Sequence, residues 1–163
     1  MKKFFKNNQL RWVWLSLFVL IVDQIAKRLV LHYLDLYQSI HILPFFNLTL
    51  VFNKGAAFSF LNSASGWQSV LFSGFAIVAS VVVLIWLSRV PKNNHLLAIA
   101  LAFILGGALG NLCDRMLLGY VIDYFDFYIG HWHWPAFNVA DAAICIGAVM
   151  LIVEWGVRKR IEG

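Results

Sequence analysis

Four stretches of the chain are long and apolar enough to lie in hydrocarbon: residues 12–31, 70–87, 96–112 and 139–157. Each approaches the ~20 residues that a ~30 Å hydrocarbon core requires at 1.5 Å of helix rise per residue. In lipid a spanning segment must satisfy its own backbone N–H and C=O groups, so these stretches are expected as helices. With 61% hydrophobic and 13% charged residues among 163, the chain is far from the roughly 25% charged composition of a soluble domain. The expectation is an all-α membrane protein. It is a four-transmembrane-helix bundle with a small β-rich extracytoplasmic segment between helices 1 and 2, and residues 1–163 form one polytopic domain.

The net charge of +5 raises the question of nucleic acid, but the basic residues collect at the ends of apolar stretches, not on a soluble face. Lys2, Lys3, Lys6 and Arg11 precede the first stretch, Arg89 and Lys92 link the second to the third, and Arg158, Lys159 and Arg160 follow the fourth. In a four-span arrangement all nine fall on one side. That is the positive-inside pattern, with both termini cytoplasmic. Trp12, Trp14, Trp86 and Trp155 then lie near the inner interface, and Trp67, Trp132 and Trp134 near the outer one. A basic start before an apolar run also describes a cleaved secretory leader. Asp23 and Lys27 interrupt this run and no small-x-small site follows it, so the first stretch reads as a permanent anchor. Residues 32–69 and 113–138 form the outer segments. The first of these carries β-branched and aromatic residues from Ile40 to Asn53, which reads as a few short strands on the membrane surface.

Charged and polar groups near a bilayer are costly, so each one kept there calls for a reason. Asp23 and Lys27, four apart on one helix face, suit an intrahelical ion pair with a structural role, although an ion or proton path would use the same residues. Arg28, near the span's end, can snorkel. Asn111, Asp114 and Arg115 end the third stretch. They read either as a frayed terminus with an interfacial ion pair or as a polar cradle for a substrate backbone, since Arg offers a rigid fork of donors. The preceding Gly106, Gly107 and Gly110 are packing devices that let helices approach. Asn138 and Asp141 fit a capping box, in which Asn138 caps the fourth helix and Asp141 reaches back; a helix N-terminus also favours an ionised carboxylate. Asp123 lies among apolar residues where a carboxylate gains little, and Asp126, three residues on, is its competitor. Residue chemistry alone does not rank the two.

Other chemistries fare worse. His131 and His133 lack a third ligand nearby, and two interfacial histidines among tryptophans suit a membrane belt better than zinc. Ser59, Ser63 and Ser65 have no nucleophile elbow, and Ser73, Ser80 and Ser88 sit where a hydroxyl bonds the preceding helical turn. Cys113 and Cys145 read as small hydrophobes.

Five motifs occur in order: Asp23-x-x-x-Lys27; Asn53-x-Gly55-Ala56-Ala57-Phe58; Gly110-Asn111-x-x-Asp114-Arg115; Val121-x-Asp123; and Phe137-Asn138-x-Ala140-Asp141. In these the chain resembles the lipoprotein signal peptidase family, signal peptidase II, over essentially its whole length. Tyr124, where that family usually carries Phe, is the one small departure. The resemblance implies an aspartic endopeptidase of the bacterial cytoplasmic (inner) membrane, with its active site near the outer leaflet. It cleaves diacylglyceryl-modified prolipoproteins just before the lipidated cysteine. The implied catalytic pair is Asp123 and Asp141, which resolves the choice against Asp126. Asn53, Gly55, Asn111, Arg115 and Asn138 are implied as the polar lining of the substrate site, with Asp23, Lys27 and Asp114 in support. No metal or other cofactor is expected. The partners are the prolipoprotein and membrane lipid, with no nucleic acid, and the protein is expected as a monomer. The alternatives are a small proton-coupled transporter, for which inverted repeats are absent from the sequence, and a non-enzymatic membrane assembly factor.

Overall fold

The computed structural model describes residues 9–55 and 67–162. Lys2, Lys3 and Lys6, and the stretch that includes Ala56, Ala57, Phe58, Ser59, Ser63 and Ser65, lie outside the described residues. A single 3-10 turn, Leu10–Trp12, leads into helix α1 (Val13–Tyr33). Strands β1 (Ser39–Leu43) and β2 (Phe46–Asn53) follow, then α2 (Trp67–Arg89) and α3 (His95–Leu118). Strands β3 (Val121–Ile129) and β4 (Trp132–His133) precede α4 (Val139–Glu162).

The apolar stretches thus become helices close to where hydrophobicity places them. Helices α2, α3 and α4 are long and apolar enough to cross a membrane. Helix α1, at 21 residues, is a little shorter and carries Asp23, Lys27 and Arg28. Its lipid-type face is nonetheless apolar, with Trp14, Leu17, Phe18, Ile21, Ile25 and Leu29 exposed. Three of its four buried residues are polar: Ser16, Asp23 and Lys27 are buried beside Val19, with Asp23 and Lys27 both 0% exposed, whereas Arg28 is exposed.

Helix α3 is the central post against which the other three helices pack. Its small residues make that possible. A Cβ at Gly106 would lie 2.7 Å from the Ser16 backbone oxygen of α1, and one at Gly110 would lie 2.7 Å from Asp23 Oδ2. A Cβ at Gly107 would run into the Ala140 carbonyl of α4. Close approach through small residues is how helices associate where apolar burial offers no advantage over lipid. Ser73, Ser80 and Ser88 each bond a carbonyl three or four residues back, as their positions suggest.

Two findings differ from the sequence expectation. The strands are not confined to the segment between α1 and α2. A four-stranded antiparallel sheet in the order β1-β2-β3-β4 draws half its strands from the segment between α3 and α4. Leu50, Ile122 and Tyr124 of its inner surface cluster with Leu34, which follows the last turn of α1. Because β3 is buried along most of its length, it lacks the apolar–polar alternation that betrays a half-exposed strand. Second, α3 does not end at residue 112. It runs to Leu118 and closes on Gly119, whose φ of +82° gives a left-handed cap and whose N–H bonds Arg115 O. Asp114 and Arg115 are therefore inside a helix and not on a frayed end.

The molecule has two unlike ends. At one, Gln9 Nε2 bonds Pro91 O and Lys92 O, Arg11 meets His95, and the C-terminal turns of α4 bring Arg158 and Lys159 alongside Trp86. The sheet and the carboxylates of the motifs lie at the other, with Trp132 and Trp134 exposed there.

Candidate functional site

The base of the site is a buried ion cluster. Lys27 Nζ lies 2.7 Å from Asp23 Oδ2, 2.8 Å from Asp114 Oδ2 and 3.0 Å from Asn111 Oδ1, so all three ammonium hydrogens have acceptors. The expected Asp23–Lys27 pair is present and is joined by Asp114. Asp114 pairs with Lys27, not with the neighbouring Arg115, so the interfacial pair on a frayed terminus is not formed. A buried ammonium without its carboxylates would be strongly unfavourable. The same carboxylates also fasten backbone. Asp23 Oδ1 accepts from Ala140 N at 2.8 Å, holding the start of α4, and Asp114 Oδ2 accepts from Ile122 N at 3.2 Å, holding the start of β3. Gln24, which the sequence reading passed over, completes the cluster by donating to Asp114 Oδ1 at 2.8 Å. Its position beside Asp23, on the helix turn facing Gly110, was the available signal.

Above this base sit the two motif aspartates. Asp123 is on β3 and 1% exposed; Asp141 is in the first turn of α4 and partly exposed. Asn138 links them. Its Nδ2 donates to Asp123 Oδ1 at 2.7 Å, and its Oδ1 accepts from Asp141 N at 2.9 Å. Asp141 Oδ2 reaches back to Asn138 N at 3.3 Å, which is the reciprocal capping box. Asn111 Nδ2 donates to Asp141 Oδ1 at 2.7 Å, while Asn111 Oδ1 accepts from Lys27 and from Asn138 Nδ2. Asn53, at the end of β2, donates to Asp123 Oδ2 at 2.9 Å. Three asparagines from three elements thus fix both carboxylates, with their orientation inherited from the ion cluster below.

Burial pushes the Asp123 carboxyl up to about 7. The nearby charge of Asp141 pushes the same way, and the hydrogen bonds from Asn53 and Asn138 and the charge of Lys27 only partly offset it. Asp126, the competitor, is engaged elsewhere. Burial alone would raise its carboxyl, but bonds from His133, Thr49 and Asn47 outweigh that and hold it below the ordinary carboxylate range. His133 is therefore tied to Asp126 at 2.7 Å, and no group of three or more metal-ligating His, Cys, Asp or Glu side chains occurs among the described residues.

Arg115 overlooks the aspartates. Among the described residues its guanidinium makes one long bond, 3.5 Å to Asn111 O, and lies 5.5 Å from the centre of the Phe72 ring. Phe72 is a second residue that sequence reasoning missed. Its ring fills the space beside Gly55, where a Cβ would lie 2.5 Å from it. Gly55 has φ +90° and donates its N–H to Asn53 Oδ1 at 2.8 Å. The Gly55 turn therefore aims Asn53 at Asp123. No pattern of apolar residues on α2 distinguishes Phe72 from its lipid-facing neighbours.

Comparison with known proteins shows the family to which the chain belongs. The family model for signal peptidase (SPase) II matches residues 15–156. The lipoprotein signal peptidase of Alteromonas mediterranea is 54% identical over 154 residues, covering 94% of this chain and 85% of that protein. That of Shewanella amazonensis is 51% identical over 149 residues, covering 91% and 89%. Two solved structures of a bacterial membrane enzyme superpose with a TM-score of 0.81 each, at 27% and 28% identity, covering 94% and 93% of this chain and 92% and 96% of those chains.

Proposed function

Because the chain belongs to the signal peptidase II family, we propose that it removes signal peptides from diacylglyceryl-modified prolipoproteins as an aspartic endopeptidase, with Asp123 and Asp141 as its catalytic pair. The observation that carries this reading is the chain of amides between the two carboxylates: Asn138 Nδ2 bonds Asp123 Oδ1 and Asn111 Oδ1, and Asn111 Nδ2 bonds Asp141 Oδ1. The charge of Asp141 disfavours ionisation of Asp123, and two carboxylates that interact in this way hold one proton between them more cheaply than they ionise together. The raised Asp123 makes it the member that carries that proton near neutral pH.

The reaction then follows. Asp141 takes a proton from water as the water oxygen adds to the scissile carbonyl carbon. Asp123 gives its hydrogen bond, then its proton, to the carbonyl oxygen, forming a neutral gem-diol. The C–N bond breaks, the leaving amine of the lipidated cysteine receives the proton held by Asp141, and Asp123 recovers its proton from the gem-diol. The new carboxyl leaves with the signal peptide. Asn53, Asn111 and Asn138 have their donors committed to the carboxylates, so they position the pair. Arg115, whose guanidinium makes one long bond among the described residues, holds the substrate backbone and offsets negative charge.

The protein works in the bacterial cytoplasmic membrane as one polytopic unit and a monomer. Helix α1 is its fourth span, since its charges are paired inside the bundle and its outer face is apolar. The basic end is cytoplasmic, with both termini, by the positive-inside rule. The aspartates then lie near the outer leaflet, where the diacylglyceryl chains of the substrate remain in lipid while the peptide reaches the pair. The test is purified protein in lipid with two substrates: a diacylglyceryl-modified prolipoprotein and its unmodified counterpart. Release of the signal peptide from the modified one alone supports the reading. No release, or equal cleavage of both, contradicts it.

A further inference from the structure

At the basic end, away from the aspartates, α2, α3 and α4 diverge around a recess of about 850 Å3. Its walls are Trp86 of α2, Leu97 of α3, and Leu151, Ile152 and Trp155 of α4. Glu154, Arg158 and Lys159 stand at its rim. A second recess of about 480 Å3 adjoins it and shares Glu154 and Arg158, but is lined by the α2–α3 turn, including Pro91, Asn93 and Asn94. The pair is therefore amphipathic: an apolar slot along the helices, continuous with a polar niche at the membrane boundary. Glu154, the acidic group facing both, accepts from Asn94 Nδ2 at 2.6 Å, and Asn94 also caps α3 by accepting from Leu97 N. Its carboxylate thus belongs to the wall. Lys159 extends over the Trp155 ring, with Nζ 5.8 Å from its centre, which brings an ammonium to the mouth of the slot.

We propose that these joined recesses bind one anionic phospholipid, with an acyl chain in the slot and its phosphate against Arg158 and Lys159. Charge complementarity selects the occupant. The mouth carries two cations on consecutive residues of α4 against the one carboxylate of Glu154, which is bonded to Asn94, and the slot is otherwise lined by hydrocarbon. Basic pockets between spanning helices on the cytoplasmic side suit acidic headgroups for this reason. A volume of this size is within the roughly 300–1,000 Å3 of ligand pockets. The site is independent of the peptidase chemistry, since it shares no residue with the aspartate cluster.

Native mass spectrometry of the delipidated full-length protein in detergent tests it. The protein is titrated with phosphatidylglycerol or with phosphatidylcholine of the same chains. The expected result is one retained phosphatidylglycerol, bound at least about tenfold more tightly than phosphatidylcholine, on the scale by which single basic residues contribute at anionic surfaces. The double variant Arg158→Ala/Lys159→Ala should remove that preference. Ile152→Trp, which keeps both charges and fills the slot from an exposed position, should weaken phosphatidylglycerol binding comparably. Equal retention of the two lipids would overturn the site. So would full binding by Ile152→Trp, which would reduce the effect to general attraction, or a protein dimer that excludes lipid from this face.

Discussion

Replacing Asp123 with Asn should separate stability from activity in a pH-dependent way. The folded protein holds the Asp123 proton up to about pH 7, whereas the unfolded chain releases it near its ordinary value of 3.8. A folded-state pKa raised in this way contributes stability that is fully present below the unfolded pKa and is lost as pH rises through the folded one. Between pH 5 and pH 8 the wild type loses the part that lies between 5 and 7. That is two pH units at about 1.36 kcal/mol each, or about 2.7 kcal/mol. Asn does not titrate, so its stability relative to wild type should rise by about that amount over this interval. Because Asp123 is only 1% exposed, solvent screening does little to reduce the figure. Replacing a carboxylate oxygen that accepts from Asn53 or Asn138 with an amide NH2 imposes a fixed cost, which cancels in the comparison between the two pH values. For a protein of this length the change corresponds to roughly 5–10 °C in melting temperature. Tryptophan-fluorescence melts of both proteins in one detergent at pH 5 and pH 8 read it directly. A difference between the two melting temperatures that is the same at both pH values, or that moves in favour of wild type as pH rises, would refute the reasoning.

Other perturbations test the parts around the pair. Lys27→Met leaves Asp23 and Asp114 buried without their shared cation, and should destabilise the protein by about 3–5 kcal/mol, seen as a large drop in melting temperature. Gly55→Ala forces a side chain into a left-handed backbone and against Phe72. It should lower signal-peptide release by about tenfold or more through displacement of Asn53, a loss of roughly one hydrogen bond's worth of alignment, while leaving the melting temperature within a few degrees. On the proposed mechanism, in which the carboxylates activate the water, release should be unchanged by chelators. Activity lost to a chelator and restored by zinc would instead point to His131 and His133.

Much of this molecule can be read from its residues, and the failures have physical causes. The helices are legible because lipid imposes length and apolarity, and the Asn138–Asp141 capping box is legible because its geometry is local. The buried partners of Asp114 are not local. From sequence, Asp114 and Arg115 look like one interfacial pair. The structure gives Asp114 to Lys27 on another helix, and the helix continues to Gly119, whose left-handed conformation was the signal for its true end. Strand β3 hides because its neighbours bury it on both faces, and it supplies the sheet with the partner that β2 needs. Asp126 was indistinguishable from Asp123 until the sheet set their neighbours. Thr49, Asn47 and His133 surround one, and Asn53 and Asn138 hold the other. Phe72 carries no polar atom to draw notice, and its role depends on the positive φ of Gly55.

Purified Asp123→Asn and Asp141→Asn variants, inserted in lipid with wild-type circular dichroism and given diacylglyceryl-modified prolipoprotein, put the shared-carboxylate account to its most direct test. It predicts that each single change removes signal-peptide release, whereas Asp126→Asn retains it. Near-normal turnover by either of the first two, or a dead but folded Asp126→Asn protein, would contradict it.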